Sequence, residues 1–201
     1  MVRICVFGDS TCSEESDYGY KNWVALLRSN FDTEDSIFNL GISGETTQGL
    51  LQRIEVECLA REPEVIIICT GANDSRFVNI TPESVATPED EFKDNVEQII
   101  ALCKEFTSKI IWIGNTPAVE TKTTPTIWSS TEYFVNSSLK RYNYFIKEIC
   151  LKEKVIFIDL FEKWLKLDYK SILDEEDGLH PNEEGYRLMY QEVLRVLPKT
   201  S

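Results

Sequence analysis

Val65-Ile66-Ile67-Ile68-Cys69 is an apolar run with no polar interruption, set between Pro63-Glu64 and Thr70-Gly71. A strand with one wet face alternates apolar and polar residues; a strand covered on both faces does not. The run is too short for a helix and rich in β-branched residues, so it reads as a strand in the middle of a parallel sheet. Such a sheet needs helices on both faces, and the rest of the chain must supply them.

The flanking sequence does so. Residues 2–7 and 36–40 read as the first and second strands, 109–114 as the fourth and 155–158 as the fifth. Between them lie helical patterns: 20–30, with Trp23, Leu26 and Leu27 on one face, and a helix capped by Thr46 or Thr47 that carries Leu50, Leu51, Ile54, Cys58 and Leu59. Thr87-Pro88-Glu89-Asp90 predicts a helix start with Thr87 as cap, followed by Phe92, Val96, Ile99, Ile100, Cys103 and Phe106 at helical spacing. Residues 115–131 form a long Thr/Pro-rich connection containing Trp128. A helix is expected over 132–152, a short one over 161–167, and a last one capped by Asn182 and ended by Pro198. The 201 residues are expected to form one α/β domain, a doubly wound, mainly parallel five-stranded sheet.

In a sheet of this kind the chemistry gathers beyond the carboxyl ends of the strands. The first three strands end in Gly8-Asp9-Ser10, in Asn39 through Gly44, and in Gly71-Ala72-Asn73-Asp74. A right-handed, flavodoxin-like winding sets strand three beside strand one with strand two flanking, so the three turns share one crevice. The chain has one histidine, His180, three residues after Asp177. His is the side chain suited to moving protons near neutral pH.

Acyl transfer needs a nucleophile, a base, a group that orients the base, and donors for an oxyanion. Ser10, at a strand-to-helix turn, can supply the hydroxyl and a backbone N–H. Gly44 offers an N–H that no side chain covers, and Asn73 offers a side-chain amide. His180 can take the serine proton, and Asp177 can reach its Nδ1. Each residue alone has a plainer reading: a helix-cap serine, a structural histidine, a turn glycine, a turn asparagine. Together they have the composition of a triad with an oxyanion hole.

Four blocks in this order resemble the SGNH subgroup of the GDSL esterases and lipases. They are Gly8-Asp9-Ser10, Asn39 through Thr46, Gly71-Ala72-Asn73-Asp74 and Asp177-Gly178-Leu179-His180-Pro181. Thr11 stands where the family name has leucine. The resemblance implies the three-layer α/β/α SGNH-hydrolase fold, with Ser10, Asp177 and His180 as the triad and Ser10, Gly44 and Asn73 at the oxyanion hole. It implies hydrolysis of a carboxylic ester without metal or cofactor. Acyl transfer and thioester or lysophospholipid cleavage suit the same site. A ligand-binding module that kept only the fold is the alternative outside catalysis. Short acyl chains are the expected substrates.

Other residues near the motifs have quieter expected roles. Asp9 and Asp74 are expected to brace turns and Asp159 to end a strand. Arg76 reads as a solvated loop arginine that could meet an anionic substrate. Trp128, Tyr133 and Phe134 could wall an acyl pocket or pack a helix start. The net charge of −13 argues against nucleic acid or an anionic membrane as partner. No apolar run approaches a membrane span. The six cysteines form no Cys-x-x-Cys pair and are expected to be free thiols, Cys12 in a loop and the rest buried. Free thiols and the strand-like residues 1–7 point to the cytoplasm.

Overall fold

The computed structural model describes residues 2–13, 20–31, 35–79, 81 and 84–197. The expected run Val65–Cys69 is strand β3, and all five residues are buried. Val65, Ile67 and Cys69 enter one core and Ile66 and Ile68 the other, which is why no polar residue interrupts the strand. Full burial of each such side chain contributes about 1.5–3 kcal/mol. β1 (Arg3–Gly8) lies between β3 and β2 (Ser36–Gly41), and β5 (Ile110–Ile113) and β7 (Ile156–Ile158) complete the sheet. The five strands are parallel, in the order β2-β1-β3-β5-β7. This is the flavodoxin-like winding read from the sequence.

Helices cover both faces. α1 (Trp23–Ser29), α8 (Leu160–Trp164) and α9 (Glu183–Val196) bury Trp23, Trp164 and Met189 on one side. On the other, α3 (Ile54–Arg61), α5 (Glu89–Phe106) and α7 (Asn136–Glu153) bury Cys58, Phe92 and Tyr142. Asn22 caps α1 and Asn182 caps α9 through their side-chain oxygens. Pro198 lies outside the described residues. Among those that are described, no helix is long and apolar enough to cross a membrane.

Three local expectations give way to tertiary contacts. The helix expected from Thr46 onward is two pieces, α2 (Thr47–Leu51) and α3, broken at Gln52-Arg53, and Leu59 is exposed instead of inward. Arg53 leaves the helical course to pair with Glu45 and to donate to the Leu40 carbonyl. Thr87 does not cap α5: its hydroxyl donates to Asp74 Oδ1, and Pro88 takes the cap position. Glu132 and Tyr133 do not begin a helix. They form β6, antiparallel to β4 (Phe77–Val78), and the helix starts only at Asn136. The 115–131 connection also holds a short helix, α6 (Glu120–Thr123).

Candidate active site

Register aligns the chemistry. Gly8 is level with Gly41 on one side and with Cys69 on the other, so the turns after β1, β2 and β3 open at the same height. Cys12 lies in the turn after β1, a loop as expected, but its side chain is not exposed. It is fully buried beneath the turn, and a Cβ on Gly8 would stand 2.5 Å from its Sγ. Its carbonyl accepts from Asn22 Nδ2 at 2.9 Å and from Asn39 Nδ2 at 2.6 Å, which fixes the turn that presents Ser10. The remaining five cysteines are buried and free as expected, and so is Cys12. Burial raises the Cys12 thiol pKa well above its usual value, and the adjacent Cys69 adds to the effect.

The sequence-distant histidine reaches this turn. His180 Nε2 lies 2.7 Å from Ser10 Oγ, across a separation of 170 residues. On the other side of the ring, Nδ1 lies 2.7 Å from Asp177 Oδ2. An ionised carboxylate only accepts, so Nδ1 carries the proton and the Nε2 lone pair faces the serine hydroxyl. Asp177 is 2% exposed, and its Oδ1 accepts from the backbone N–H of Leu179 and of His180 at 2.7 and 2.9 Å. Both carboxylate oxygens are thus engaged by the loop they orient.

Asp174, which the sequence reading passed over, holds this loop from behind. Its Oδ1 accepts from the N–H of Glu176 and Asp177, and its backbone N–H donates to the His180 carbonyl at 2.7 Å. The only signal for it in the sequence is an Asp three residues before Asp177, the spacing of an Asx-type turn. Burial, the largest influence on His180, works against the imidazolium. The Asp177 hydrogen bond and charge, with Asp9 and Asp174 beyond, outweigh it and leave the His180 pKa above its ordinary value.

The expected oxyanion donors stand around Ser10. Gly44 has φ +77°, a left-handed conformation that favours glycine, and no atom of the described residues lies within 4 Å of where its Cβ would be. Asn73 sits on the short helix α4 (Ala72–Ser75), and its Nδ2 donates to Asp9 Oδ2 at 3.3 Å and to the Glu45 carbonyl at 3.2 Å. These are long bonds, so the amide is held in place without being tightly committed.

Asp9 and Asp74 are the braces the sequence predicts. Asp9 Oδ1 accepts from the Thr11 N–H and hydroxyl. Asp74, fully buried, accepts from the Thr47 N–H and hydroxyl and from the Thr87 hydroxyl, tying the β2 turn to the β3 turn and to α5. Burial raises both carboxyl pKa values, opposed by these hydrogen bonds. Asp159 is far from this role: it caps α8 and pairs with Lys147.

A cleft of about 400 Å³ opens over Ser10 and His180. Its outer wall comes from the β4–β6 ribbon and the segment before it: Arg76, Ile127, Trp128, Glu132 and Phe134. Phe134 is buried, whereas Tyr133 points its hydroxyl to the Ser130 carbonyl and does not line the cleft. Arg76 is not a freely solvated arginine; its side chain is 23% exposed and faces Glu132. Among the described residues, no group of three or more His, Cys, Asp or Glu side chains is arranged to hold a metal ion.

The model of the GDSL-like lipase/acylhydrolase family matches residues 6–188. The chain belongs to that family. It is accordingly a carboxylic ester hydrolase. It is 25% identical to the GDSL esterase/lipase CPRD49 of Arabidopsis thaliana, over 97% of this chain and 78% of the relative. It is 29% identical to the isoamyl acetate-hydrolyzing esterase of Saccharomyces cerevisiae, over 86% and 73%. Among solved structures, a lipase/acylhydrolase from Enterococcus faecalis superposes with a TM-score of 0.80 at 22% identity, covering all of both chains. That likeness carries the α/β fold of the GDSL hydrolases over to this chain.

Proposed function

We propose that this hydrolase cleaves its ester through an acyl-enzyme on Ser10. The observation that carries the reading is the unbroken chain from Ser10 Oγ through His180 to Asp177, with both links at 2.7 Å. His180 Nε2 takes the hydroxyl proton as Ser10 Oγ attacks the carbonyl carbon, and Asp177 steadies the imidazolium that forms. The oxyanion receives the N–H groups of Ser10 and Gly44 and the Asn73 amide, which turns from Asp9 and Glu45 toward the new charge. As the intermediate collapses, His180 protonates the departing alcohol. Water then enters, loses a proton to the same nitrogen and releases the acid.

Two features favour short acyl chains. The cleft is of moderate size, about 400 Å³. The yeast relative is named for an acetate ester, in line with this preference. Six free thiols support a reducing location, and we place the enzyme in the cytoplasm on that basis. The test is hydrolysis of p-nitrophenyl esters from acetate to palmitate, by wild type and by Ser10→Ala. The expected result is fastest turnover of acetate and none by the variant. Wild-type turnover by Ser10→Ala would overturn the mechanism, and a palmitate optimum would overturn the chain-length preference.

A further inference from the structure

The cleft wall contains a charged pair that the triad does not use. Arg76 Nη1 faces Glu132 Oε1 at 3.6 Å, too far for a hydrogen bond, and Arg76 Nε is buried with no hydrogen-bond partner among the described residues. Glu132 Oε2 is held from the other side by Trp128 Nε1 at 3.0 Å. A guanidinium and a carboxylate this close would normally close into a bidentate pair. Here they stand open, side by side, facing a cleft that leads to the nucleophile.

Trp128 settles which part of the substrate lies here. Its ring centroid is 5.9 Å from that of His180, and it is 48% exposed. In an acyl transfer the histidine delivers its proton to the departing alcohol, so the alcohol leaves on the His180 side. The half-exposed indole therefore flanks the alcohol, and Glu132, bonded to that indole, lies within the same wall.

The pair also restricts the chemistry of that alcohol. Glu132 repels an anionic group, as does a chain of net charge −13. Arg76 repels a cationic one. A donor beside an acceptor is complementary to hydroxyl groups, each of which both accepts and donates. An exposed indole face suits a ring whose C–H bonds point outward from one side, while its N–H edge engages the polar network.

Resting on the serine-hydrolase reading above, we propose that Arg76, Glu132 and Trp128 form a subsite for a neutral, polyhydroxylated leaving alcohol of the sugar type. Arg76 and Glu132 bridge its hydroxyls and Trp128 covers its apolar face. Arg76 thereby acts as a specificity determinant rather than as a member of the hydrolytic machinery.

The experiment compares two acetate esters of primary alcohols on six-membered rings: a methyl glucoside acetylated at its primary hydroxyl, and cyclohexylmethyl acetate. Wild type is expected to favour the glucoside ester by at least about tenfold in kcat/KM, since a site built to bond hydroxyls rejects an analogue that lacks them. Arg76→Met and Glu132→Ala should each bring that ratio to within about threefold of unity, mainly through a higher KM for the glucoside ester. Thermal melts establish that each variant folds, and Glu132→Ala reads the effect if Arg76→Met does not fold. Equal wild-type rates on the two esters, a preference for the cyclohexyl ester, or a ratio unmoved in the folded variants would overturn the subsite. Turnover of p-nitrophenyl acetate separates the failures. If it persists without a hydroxyl preference, only the subsite falls; if Ser10→Ala matches wild type on all three esters, the mechanism beneath it falls as well.

Discussion

The two sides of the cleft are built differently. On the side of the sheet, Ser10, Gly44 and Asn73 stand on turns that leave adjacent parallel strands in register, and those turns are tied by the buried carboxylates Asp9 and Asp74. On the outer side, the wall is a two-residue ribbon, β4 against β6, with Ile127 and Trp128 63% and 48% exposed in front of it. One side is anchored in two large hydrophobic cores; the other rests on Phe134 in a small four-residue cluster, with a few hydrogen bonds and a loose ion pair. Under the proposed mechanism, bond-making, which needs sub-ångström placement, sits on the rigid side; under the proposed subsite, selection among substrates, which tolerates variation, sits on the loops.

That contrast predicts a graded set of mutational effects. The largest is on the proposed nucleophile and base: Ser10→Ala or His180→Ala is expected to lower kcat by about 10⁵-fold or more while the circular dichroism spectrum and melting temperature hold. An activity loss accompanied by unfolding would mean that the site and the scaffold are not separable in this way.

Next is Asp177→Asn, expected to cost about 10³–10⁴ in kcat/KM because an amide no longer fixes the Nδ1–H tautomer. It should also alter the pH profile. His180 must be neutral to accept the serine proton, and its pKa stands above the ordinary value. Wild-type kcat/KM should therefore fall as pH drops through that raised value, and in Asp177→Asn the acid limb should move to lower pH. The linked stability has the opposite sense. The raised pKa contributes stability that is fully present below the unfolded value, about 6.5, and that stability is lost as pH rises through the folded value. Denaturant titrations across that range measure it, and a flat kcat/KM profile from pH 5 to 8 would count against a histidine base.

Asn73→Ala follows, with about 10²–10³ lost from kcat and little from KM, since the oxyanion exists only beyond the ground state. Asp74→Ala acts on the bracing instead. It strands the Thr47 N–H and the two threonine hydroxyls and is expected to cost about 2–3 kcal/mol of unfolding free energy in urea titrations. The smallest effect lies on the outer wall. Trp128→Ala should change kcat/KM for p-nitrophenyl acetate by about threefold to tenfold, chiefly in KM, without a measurable loss of stability. A large stability loss there would erase the contrast between the two sides.

The sheet was legible because its signals are local and strong. Val65–Cys69 has the pattern of a doubly buried strand, and the turns bearing Ser10, Gly44 and Asn73 each follow directly on a strand end. The proposed triad was legible because the histidine is unique and Asp177 lies one turn of loop before it. What escaped was set by contacts between distant segments. Glu132 and Tyr133 have no local reason to be extended; they are so because Phe77 and Val78 lie opposite. Thr87 has a strong capping sequence, but a buried carboxylate that needs a donor outweighs an exposed cap. Arg76 reads as an ordinary loop cation until the ribbon folds Glu132 beside it.

The central claim is that Ser10, 170 residues from His180 in sequence, is the atom that carries the acyl group. The most direct measurement is intact-protein and peptide mass spectrometry after acid-quenching the enzyme in mid-turnover with p-nitrophenyl acetate, with a fluorophosphonate probe in parallel. The account predicts an acetyl adduct and a phosphonyl adduct on the peptide bearing Ser10, both absent in Ser10→Ala. Turnover by Ser10→Ala at the wild-type rate, or adducts mapped to another residue, would contradict it.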